Sequence, residues 1–368
     1  MYYCFVVTTI NVPHLLEGYA RKLAKNNKIG FIVVGDKKTP HKKVLRFMKH
    51  LKNFDCESEY MNLEVQQKFL RKFNGLSKIF TYNSLQRRNI GFLKAAEYDA
   101  KVIITLDDDN YIVNEKYLNY HSHLGKTVNL KEIKSSIGWF NPCSILRTNH
   151  KREIYMRGYP YSKRYIENKI IQKKGKGRVV LNMGLWKNDP DADAVTNLAN
   201  PTKIVGLKPG YSNIMIGKGT TIPINTQNTA FLSEILPCCY DVIQGYSFKG
   251  LRIDRYDDIW GGFLAKKTID HMGDKVTIGQ PITNHMRNKH NLLNDLKMEL
   301  WGMIITEKFA NWLDTIDPNG ASYSEIYYSL AKNIQKKFAP SFDDYSIRKY
   351  FEKLSNAMEL WVNACNTI

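Results

Sequence analysis

The segment at residues 101–110 (KVIITLDDDN) constrains the fold of this chain more than any other. Residues 102–106 are apolar and rich in β-branched side chains, which is typical of a strand buried on both faces of a sheet. Asp107, Asp108 and Asp109 follow at once, and like charges so close repel one another unless a cation neutralises them. Ligands bind at the carboxyl ends of strands in open α/β sheets. The segment therefore favours a site for Mg²⁺ or Mn²⁺ that carries a diphosphate, and the alternative is an acidic turn that caps the next helix.

Strand and helix patterns alternate in the N-terminal part of the chain. Residues 3–9 and 31–34 have strand patterns, and each is followed by a segment whose apolar residues recur with the period of a helix. This alternation predicts a mostly parallel sheet with crossover helices, so the expected fold class is α/β. The first turn lacks the GxGxxG pattern, which argues against a dinucleotide-binding Rossmann domain. Residues 173–178 (KKGKGR) are predicted to form a basic, glycine-containing loop.

The C-terminal part of the chain has a different pattern. Helical patterns dominate from residue 296, and residues 344–366 carry an apolar stripe at helical spacing, which predicts core packing. Ser341 and Asp344 resemble a capping box before this helix. We therefore predict an α/β domain over residues 1–295 and a helical C-terminal extension over residues 296–368 that packs on it.

The composition limits the classes of protein that the chain can belong to. It has 368 residues, of which 43% are hydrophobic, so it can fill a large core. No run approaches the roughly 18 uninterrupted apolar residues of a membrane helix, so integral membrane association is not expected. The start, MYYCFVVTTI, lacks the basic lead and long apolar core of a signal peptide and reads as a first strand. The six cysteines show no CxxC spacing, which fits a reduced, cytoplasmic protein without a zinc site.

The chain is strongly basic, with a net charge of +19 from 54 Lys and Arg against 35 Asp and Glu. This charge favours an anionic partner such as a nucleotide, a membrane surface or nucleic acid. The basic residues are spread along the chain, and no helix–turn–helix, zinc-finger or RNP-like pattern accompanies them. Nucleic acid is therefore not expected as a partner, and a generally basic surface accounts for most of the charge.

Six segments resemble a known family, in the family's order and over nearly the whole chain. They are TLDDDN (105–110), RGYPYSKR (157–164), GLWKNDPDADAVTNL (184–198), NTAF (228–231), RYDDIWGGF (255–263) and FEKLSNAMELWVNA (351–364). Together they resemble the plant reversibly glycosylated polypeptides, which are UDP-arabinopyranose mutases. The resemblance implies a GT-A-like nucleotide-sugar fold, a divalent metal, usually Mn²⁺, a UDP-sugar substrate and a homo-oligomer. The chain departs from the plant members at Asn110, where they typically have Cys, and over residues 124–150; these differences bear on the sugar more than on the reaction class.

The resemblance implies roles for the residues around the three aspartates. Asp107 and Asp109 are the predicted metal-binding pair, and Asp108 would hold the ribose or brace the turn. His285 lies where many GT-A enzymes place a third metal ligand, and the alternative is a surface or core histidine. These three ligands would bring the metal to the diphosphate.

Four further residues are candidates for contacts with the nucleotide sugar. In a GT-A fold, Asp36 at the end of the second strand would contact uracil or ribose, or it is a simple turn residue. Arg87 and Arg88 precede the central strand, and we expect one to face the diphosphate and the other to face solvent. Asn228, in the motif NTAF, is assigned to the same site.

Two arginines are predicted to take part in catalysis. Arg157 and Arg164 match two arginines of the family, and the first of these is linked to reversible sugar attachment. A guanidinium stays protonated at neutral pH and is a poor nucleophile. A bidentate clamp on a phosphate or sugar is the simpler role, and the role of Arg157 stays open between the two.

Four aspartates and a tryptophan complete the predicted site. Asp257 and Asp258 match the acidic pair where inverting GT-A enzymes have a catalytic base, and the alternative is that they bind sugar hydroxyls. Asp191 and Asp193 are further candidates for binding the sugar, with ordinary turn chemistry as their alternative. Trp186 is a candidate for stacking on a sugar face, although buried aromatic residues more often fill a core.

Two enzymatic functions and one binding function are compatible with these features. The leading hypothesis is a metal-dependent mutase, without a redox cofactor, that interconverts the pyranose and furanose forms of a UDP-sugar, above all UDP-arabinose. No flavin-binding fingerprint is present. The alternative is a metal-dependent glycosyltransferase that moves the sugar to an acceptor with Asp257 or Asp258 as base. A sugar-nucleotide-binding subunit without activity is the third, and the intact aspartates and arginines argue against it.

Overall fold

The computed structural model describes residues 2–248, 251–288 and 291–368, and these form an α/β fold around one large mixed sheet. In the described residues the strands are β1 (Tyr3–Thr9), β2 (Ile29–Gly35), β3 (Glu57–Met61), β4 (Val102–Leu106), β5 (Asn110–Ile112), β6 (Thr127–Ser135), β7 (Leu146–Thr148), β8 (Ile170–Asn188), β9 (Ile204–Leu207), β10 (Ile214–Ile216), β11 (Asn228–Leu232), β12 (Tyr246–Phe248), β13 (Leu251–Ile253) and β14 (Lys275–His285). The α-helices are α1 (Leu15–Leu23), α2 (His41–Leu51), α3 (Leu63–Leu70), α4 (Arg88–Glu97), α5 (Ala194–Ala199), α6 (Asp257–Met272), α7 (Leu292–Thr315), α8 (Tyr323–Asn333) and α9 (Tyr345–Cys365).

The N-terminal half of the sheet is parallel, as the alternating patterns predict. The strands lie in the order β3-β2-β1-β4, and every neighbouring pair in this group is parallel. Helices connect them, because parallel strands need crossover connections. All five residues of β4 are buried. Because β1, β2 and β4 are parallel, their carboxyl ends lie at the same edge of the sheet. The predicted α/β class is confirmed.

The second half of the sheet is mixed and brings a distant strand to the aspartates. β11 pairs antiparallel with both β4 and β8, and β14 runs parallel to β8. The end of β14 also pairs antiparallel with β5, in a register that sets His285 opposite Asn110. Because a strand and not a helix follows the aspartates, the alternative of an acidic helix cap is excluded.

The segment at residues 173–178 lies within strand β8, so the prediction of a loop is wrong. It pairs with β6 in a register that sets Lys174 opposite Lys131. Gly175 and Gly177 leave room for side chains of the neighbouring strands, because a Cβ on Gly175 would meet Glu132 and a Cβ on Gly177 would meet Lys275. Cross-strand packing thus overrides the weak strand propensity of glycine.

Helices α7, α8 and α9 form the C-terminal region, which confirms the predicted helical extension. The first of them begins at Leu292, slightly before the predicted boundary. The predicted apolar stripe of α9 is buried against α8 and the core. Asp344 is itself the N-cap of α9 and accepts hydrogen bonds from the backbone of Ser346 and Ile347, so the predicted capping box is wrong. Among the helices of the described ranges, none is long and apolar enough to cross a membrane.

Candidate functional site

A cleft of about 610 Å³ lies at the carboxyl ends of β1, β2 and β4. This volume falls within the range of about 300–1,000 Å³ that is typical of small-ligand sites. Its walls include Thr9 at the end of β1, Asp36 after β2, the three aspartates after β4 and His285 at the end of β14. The topology thus joins the metal-binding residues predicted from sequence in one cleft.

A buried arginine holds Asp107 in place. Arg88 donates from Nη2 to Asp107 Oδ1, and its other hydrogen bonds go to the carbonyl (3.2 Å) and the hydroxyl of Thr226 and to the hydroxyl of Thr8 (3.3 Å). Burial raises the pKa of Asp107 to about 6, against the lowering effect of the Arg88 guanidinium. Arg88 therefore positions a cleft carboxylate and does not itself line the cleft.

Arg87 and Asp36 also line the cleft. The Asp36 carboxylate accepts backbone hydrogen bonds from Lys37 (2.7 Å) and Ser84 (3.2 Å). Arg87 lines the cleft but donates from Nε to Gln66 Oε1 (2.9 Å), and burial lowers its pKa. Both this arginine and the one that follows it are buried, so the prediction that one of them faces solvent is wrong. The reason is that the start of α4 packs directly under the strand ends.

Asp108 braces the loop that follows β1. Its Oδ2 accepts a hydrogen bond from the hydroxyl of Thr9 (2.5 Å) and another from the side-chain amide of Asn11 (3.4 Å). Of the two roles left open by the sequence, these contacts favour bracing.

Asp109 and His285 converge from two different strands. His285 Nε2 lies 3.5 Å from Asp109 Oδ2, and Nδ1 lies 2.7 Å from the carbonyl oxygen of Asp189. Burial opposes the charge on the imidazole, but Asp109 raises the pKa of His285 above its usual value. In turn, His285 lowers the pKa of Asp109, although burial of the carboxylate acts in the other direction.

The chemistry of this pair fits a divalent cation. Metal-binding histidines commonly donate one ring N–H to a backbone carbonyl, which leaves the other nitrogen free as a ligand, and His285 has this arrangement with Asp189. Within residues 2–248, 251–288 and 291–368, no group of three or more His, Cys, Asp or Glu side chains is arranged to hold a metal ion. A cation at Asp109 and His285 would therefore take its other ligands from water and from phosphate oxygens, as Mg²⁺ usually does.

Arg157 is the centre of a buried ion-pair network beside the cleft. It donates from Nε and Nη2 to the two carboxylate oxygens of Asp191 (2.8 and 3.0 Å) and from Nη1 and Nη2 to those of Asp258 (3.2 Å each). Nη1 also donates to the carbonyl of Arg255. Although burial opposes charge, the two aspartates raise the pKa of Arg157 well above its usual value.

This network changes the predicted role of Arg157. Every N–H of its guanidinium faces a protein acceptor, so none is left to clamp a phosphate, and a protonated guanidinium is not a nucleophile. Asp191 lines the cleft, and the pairing with Arg157 lowers the pKa of Asp191 even though burial raises it. Arg157 therefore keeps a cleft carboxylate ionised and in place.

Asp257 and Asp258 begin helix α6 and are buried away from the cleft. Asp258 is held by Arg157 and by the backbone N–H groups of Thr226 (3.3 Å) and Ile259 (2.9 Å). Burial and the neighbouring Asp258 carboxylate raise the pKa of Asp257 well above its usual value. Neither residue lines the cleft, so the predicted roles as a catalytic base or as ligands of sugar hydroxyls gain no support from this geometry and stay predictions.

Four other predicted residues belong to the scaffold. Asp193 caps α5 and accepts a hydrogen bond from Arg164 Nη2 (2.8 Å). Trp186 is 0% exposed within the core, so it cannot stack on a sugar. Asn228 is buried and accepts a hydrogen bond from the Tyr117 hydroxyl (2.5 Å). None of these four predicted residues lines the cleft: the Trp186 and Asn228 side chains are buried on β8 and β11, and Arg164 pairs with the Asp193 that caps α5.

The cleft lining also includes residues that were not predicted from the sequence, among them Arg255, Arg287 and Asn288. Arg287 donates from Nη2 to the carbonyl of Pro190 (2.8 Å), and Asn288 contacts the Asp109 carboxylate through its backbone N–H (3.4 Å). The signal was present, because Arg255 begins the motif RYDDIWGGF and the other two residues follow His285 closely.

Solved structures of similar shape include two crystal structures of glucosyl-3-phosphoglycerate synthase from Mycobacterium tuberculosis. One is in complex with phosphoglyceric acid, is 9% identical and covers 87% of this chain and 82% of that chain, with a TM-score of 0.41. The other is in complex with Mn²⁺ and UDP-glucose, is 8% identical and covers 83% of this chain and 78% of that chain, again with a TM-score of 0.41.

Sequence relatives are more similar to this chain than these structures are. UDP-arabinopyranose mutase 1 of Arabidopsis thaliana is 31% identical over 274 residues, which cover 72% of this chain and 68% of the relative. Probable UDP-arabinopyranose mutase 2 of Solanum tuberosum is 31% identical over 278 residues, which cover 72% and 67%. UDP-arabinopyranose mutase 1 of Oryza sativa subsp. japonica is 28% identical over 274 residues, which cover 72% and 67%. The profile of the family described as Reversibly glycosylated polypeptide matches residues 8–368, and the chain therefore belongs to this family.

Proposed function

We propose that this protein is a mutase that interconverts the pyranose and furanose forms of a UDP-sugar, with UDP-arabinose as the first candidate. One observation carries the proposal: three of the segments that resemble the family lie at the same site. The aspartates after β4 line the cleft, and Arg157 holds Asp191 in the cleft lining. Family membership and relatives named UDP-arabinopyranose mutase support the same activity.

We propose that three groups of residues in the cleft bind the three parts of a UDP-sugar. The nucleoside would lie along Asp36 and Arg87, the diphosphate near the aspartates after β4 and His285, and the sugar beside Asp191. The cleft volume of about 610 Å³ is sufficient for a ligand of this size.

We propose that a divalent cation, Mn²⁺ or Mg²⁺, accompanies the substrate. Asp109 and His285 would hold it, and Asp107, whose Oδ1 is paired with Arg88, lies on the same edge. When bound, the cation supplies positive charge that stabilises a departing diphosphate.

The protein residues have two tasks in this reaction. Asp191, which Arg157 keeps ionised, can accept a hydrogen bond from a sugar hydroxyl and stabilise positive charge at the anomeric carbon as its bond to the diphosphate breaks. The bond from C1 to the diphosphate breaks and later re-forms. In between, the bond from C1 to the old ring oxygen is replaced by a bond from C1 to another hydroxyl of the sugar, and the proton that this hydroxyl loses is gained by the old ring oxygen. The exchange therefore needs no net proton and no electron transfer.

The direct test is to incubate the protein with UDP-arabinofuranose and Mn²⁺ in the absence of any acceptor. We expect UDP-arabinopyranose to form, which NMR of the anomeric proton distinguishes from the starting compound. The same incubation with a chelator in place of Mn²⁺ tests the metal. An absence of interconversion for every UDP-pentose and UDP-hexose tried would reject the proposal.

The glycosyltransferase alternative makes a different demand on the site. It needs a base that reaches an acceptor hydroxyl, and the two carboxylates assigned to this role, Asp257 and Asp258, are buried outside the cleft. UDP release that depends on an added acceptor would favour this alternative over the mutase.

We also propose that the protein is a cytoplasmic homo-oligomer. The association of family members with one another supports the oligomer. All six cysteines, each in the described part of the chain, are free thiols, which suits a reducing compartment. Light scattering during gel filtration measures the oligomeric state, and a monomer at micromolar concentration would reject it.

A further inference from the structure

Arg255 differs from Arg157 because its side chain is accessible from the cleft. It differs from Arg87 and Arg287, which also line the cleft, because their amino groups donate hydrogen bonds to Thr81, Gln66 and Pro190. It lines the cleft and its side chain is 29% exposed, whereas the side chain of Arg157 is 6% exposed. Its backbone has a φ of 64°, a left-handed conformation that residues other than glycine adopt rarely. Such backbone outliers persist where the surrounding structure enforces them and cluster at functional sites.

We propose that Arg255, and not Arg157, is the arginine that binds the diphosphate of the nucleotide sugar. The ligand identity rests on the proposed function, since a nucleoside diphosphate sugar is the ligand class that this function requires. The assignment to Arg255 rests on the geometry of the site alone.

Helix α7 holds the Arg255 side chain from behind. Nε donates to Glu299 Oε1 (2.8 Å), and Nη1 lies 3.7 Å from Asp295 Oδ1, which is too long for a hydrogen bond. Glu299 is fixed in turn, because its other oxygen accepts the backbone N–H of Ala194 (2.8 Å). The carboxylates thus anchor the base of the guanidinium.

The outer edge of the guanidinium is available to a ligand. Nη1 and Nη2 of Arg255 donate no hydrogen bond within the described parts of the chain, whereas every N–H of Arg157 is used there. Nη2 has no ion-pair partner among the described residues, and Nη1 has only the ion pair with Asp295 at 3.7 Å. A planar guanidinium whose two amino groups donate no hydrogen bond can bind two oxygens of a phosphate at once. His285 and Arg287 also line the cleft, and basic side chains suit a doubly anionic diphosphate better than a neutral sugar.

Arg157 then has a supporting task. It donates to the carbonyl of Arg255 and so helps to hold the left-handed turn that directs Arg255. Arg157 is a positioning residue, and Arg255 is the residue that contacts the substrate.

Calorimetric titration with UDP, UMP and uridine, each with and without Mn²⁺, tests this assignment. We expect Arg255→Ala to weaken UDP binding about ten- to hundred-fold, the usual effect of losing a charge-assisted contact, and to leave uridine binding within about twofold. Arg255→Lys should retain part of the UDP affinity, because the charge remains while the planar fork is lost. The matched control is Arg252→Ala, which removes an exposed arginine that pairs with Asp254 and should bind all three ligands as the wild type does.

Two results would overturn the assignment. One is an Arg255→Ala variant that binds UDP as tightly as the wild type; the other is an equal loss of affinity for UDP and uridine, which indicates a structural role. If the Ala variant does not fold, Arg255→Lys and Glu299→Gln give the same comparison, because the latter releases the anchored side chain. A wild-type protein that binds UDP but does not interconvert UDP-sugars would reject the proposed mutase and leave the assignment of Arg255 intact.

Discussion

His285 Nε2 lies 3.5 Å from Asp109 Oδ2, although the two residues are far apart in the chain. The antiparallel pairing of β14 with β5 creates this proximity, because it sets His285 opposite Asn110, the residue after Asp109. The hydrogen bond from Nδ1 to the Asp189 carbonyl then fixes the ring. Sheet topology therefore builds the pair that suits a cation.

Replacing His285 should remove the effect of Mn²⁺ on nucleotide binding. Without the imidazole, a cation at Asp109 has one protein ligand fewer, and we expect His285→Ala to reduce the gain in UDP affinity that Mn²⁺ produces by at least about tenfold. UDP affinity without Mn²⁺ should change little. Calorimetry measures both, with the exposed His50→Ala as the control, and an unchanged response to Mn²⁺ in His285→Ala contradicts the metal assignment.

Replacing Arg157 should destabilise the fold. Arg157→Ala leaves the buried carboxylates of Asp191 and Asp258 without their cation, and breaking a buried ion pair on one side costs about 3–5 kcal/mol. Urea unfolding measures the loss. Asp258→Asn in the Arg157→Ala background should recover part of it, because one unpaired charge is removed. If Arg157→Ala has the midpoint of the wild type, the network contributes nothing to stability.

The local patterns of the sequence were sufficient to predict the central strand and its aspartates. The apolar, β-branched pattern of residues 102–106 predicts a buried strand, and the aspartates that follow it directly must then lie at the carboxyl end of that strand. The placement of His285 and Asp36 in the same cleft came from the family resemblance. Neither residue has a local signal that distinguishes it from an ordinary histidine or turn aspartate.

The contacts of Arg157 could not be predicted, because they join residues that are far apart in the chain. Its partners Asp191 and Asp258 lie 34 and 101 residues away. A motif shows that an arginine is present, but only the folded structure shows that its N–H groups are already used. The same limit led the sequence analysis to pass over Arg255, whose exposure depends on Glu299 of helix α7.

Trp186 provides a test of the distinction between scaffold and site. Its side chain is fully buried in the core and outside the cleft, so Trp186→Phe should lower the free energy of unfolding by about 1–3 kcal/mol. The Kd for UDP should stay that of the wild type. Urea unfolding and calorimetry on the same sample measure the two effects. A selective loss of UDP-sugar affinity at full stability would return Trp186 to the sugar site.

Asp241 should make the stability of the protein depend on pH. Burial raises the pKa of Asp241 to about 7, and its Oδ2 has no hydrogen-bond partner among the described residues. In the unfolded chain the pKa of an aspartate is about 3.9. Between these two values the folded state binds more protons than the unfolded state, so this group makes the free energy of unfolding fall as pH rises from about 4 to about 7.

Asp241→Asn removes this titration while keeping the shape of the side chain. We expect the free energy of unfolding of the variant, relative to that of the wild type, to increase as pH rises from 5 to 8. The increase should be at least about 1.4 kcal/mol, which corresponds to one pKa unit. Urea unfolding at several pH values between these limits measures the difference. Asp343→Asn, which replaces an exposed aspartate, is the control and should follow the wild type at every pH. If the free energy of unfolding of Asp241→Asn changes with pH as that of the wild type does, Asp241 does not bind a proton in the folded state.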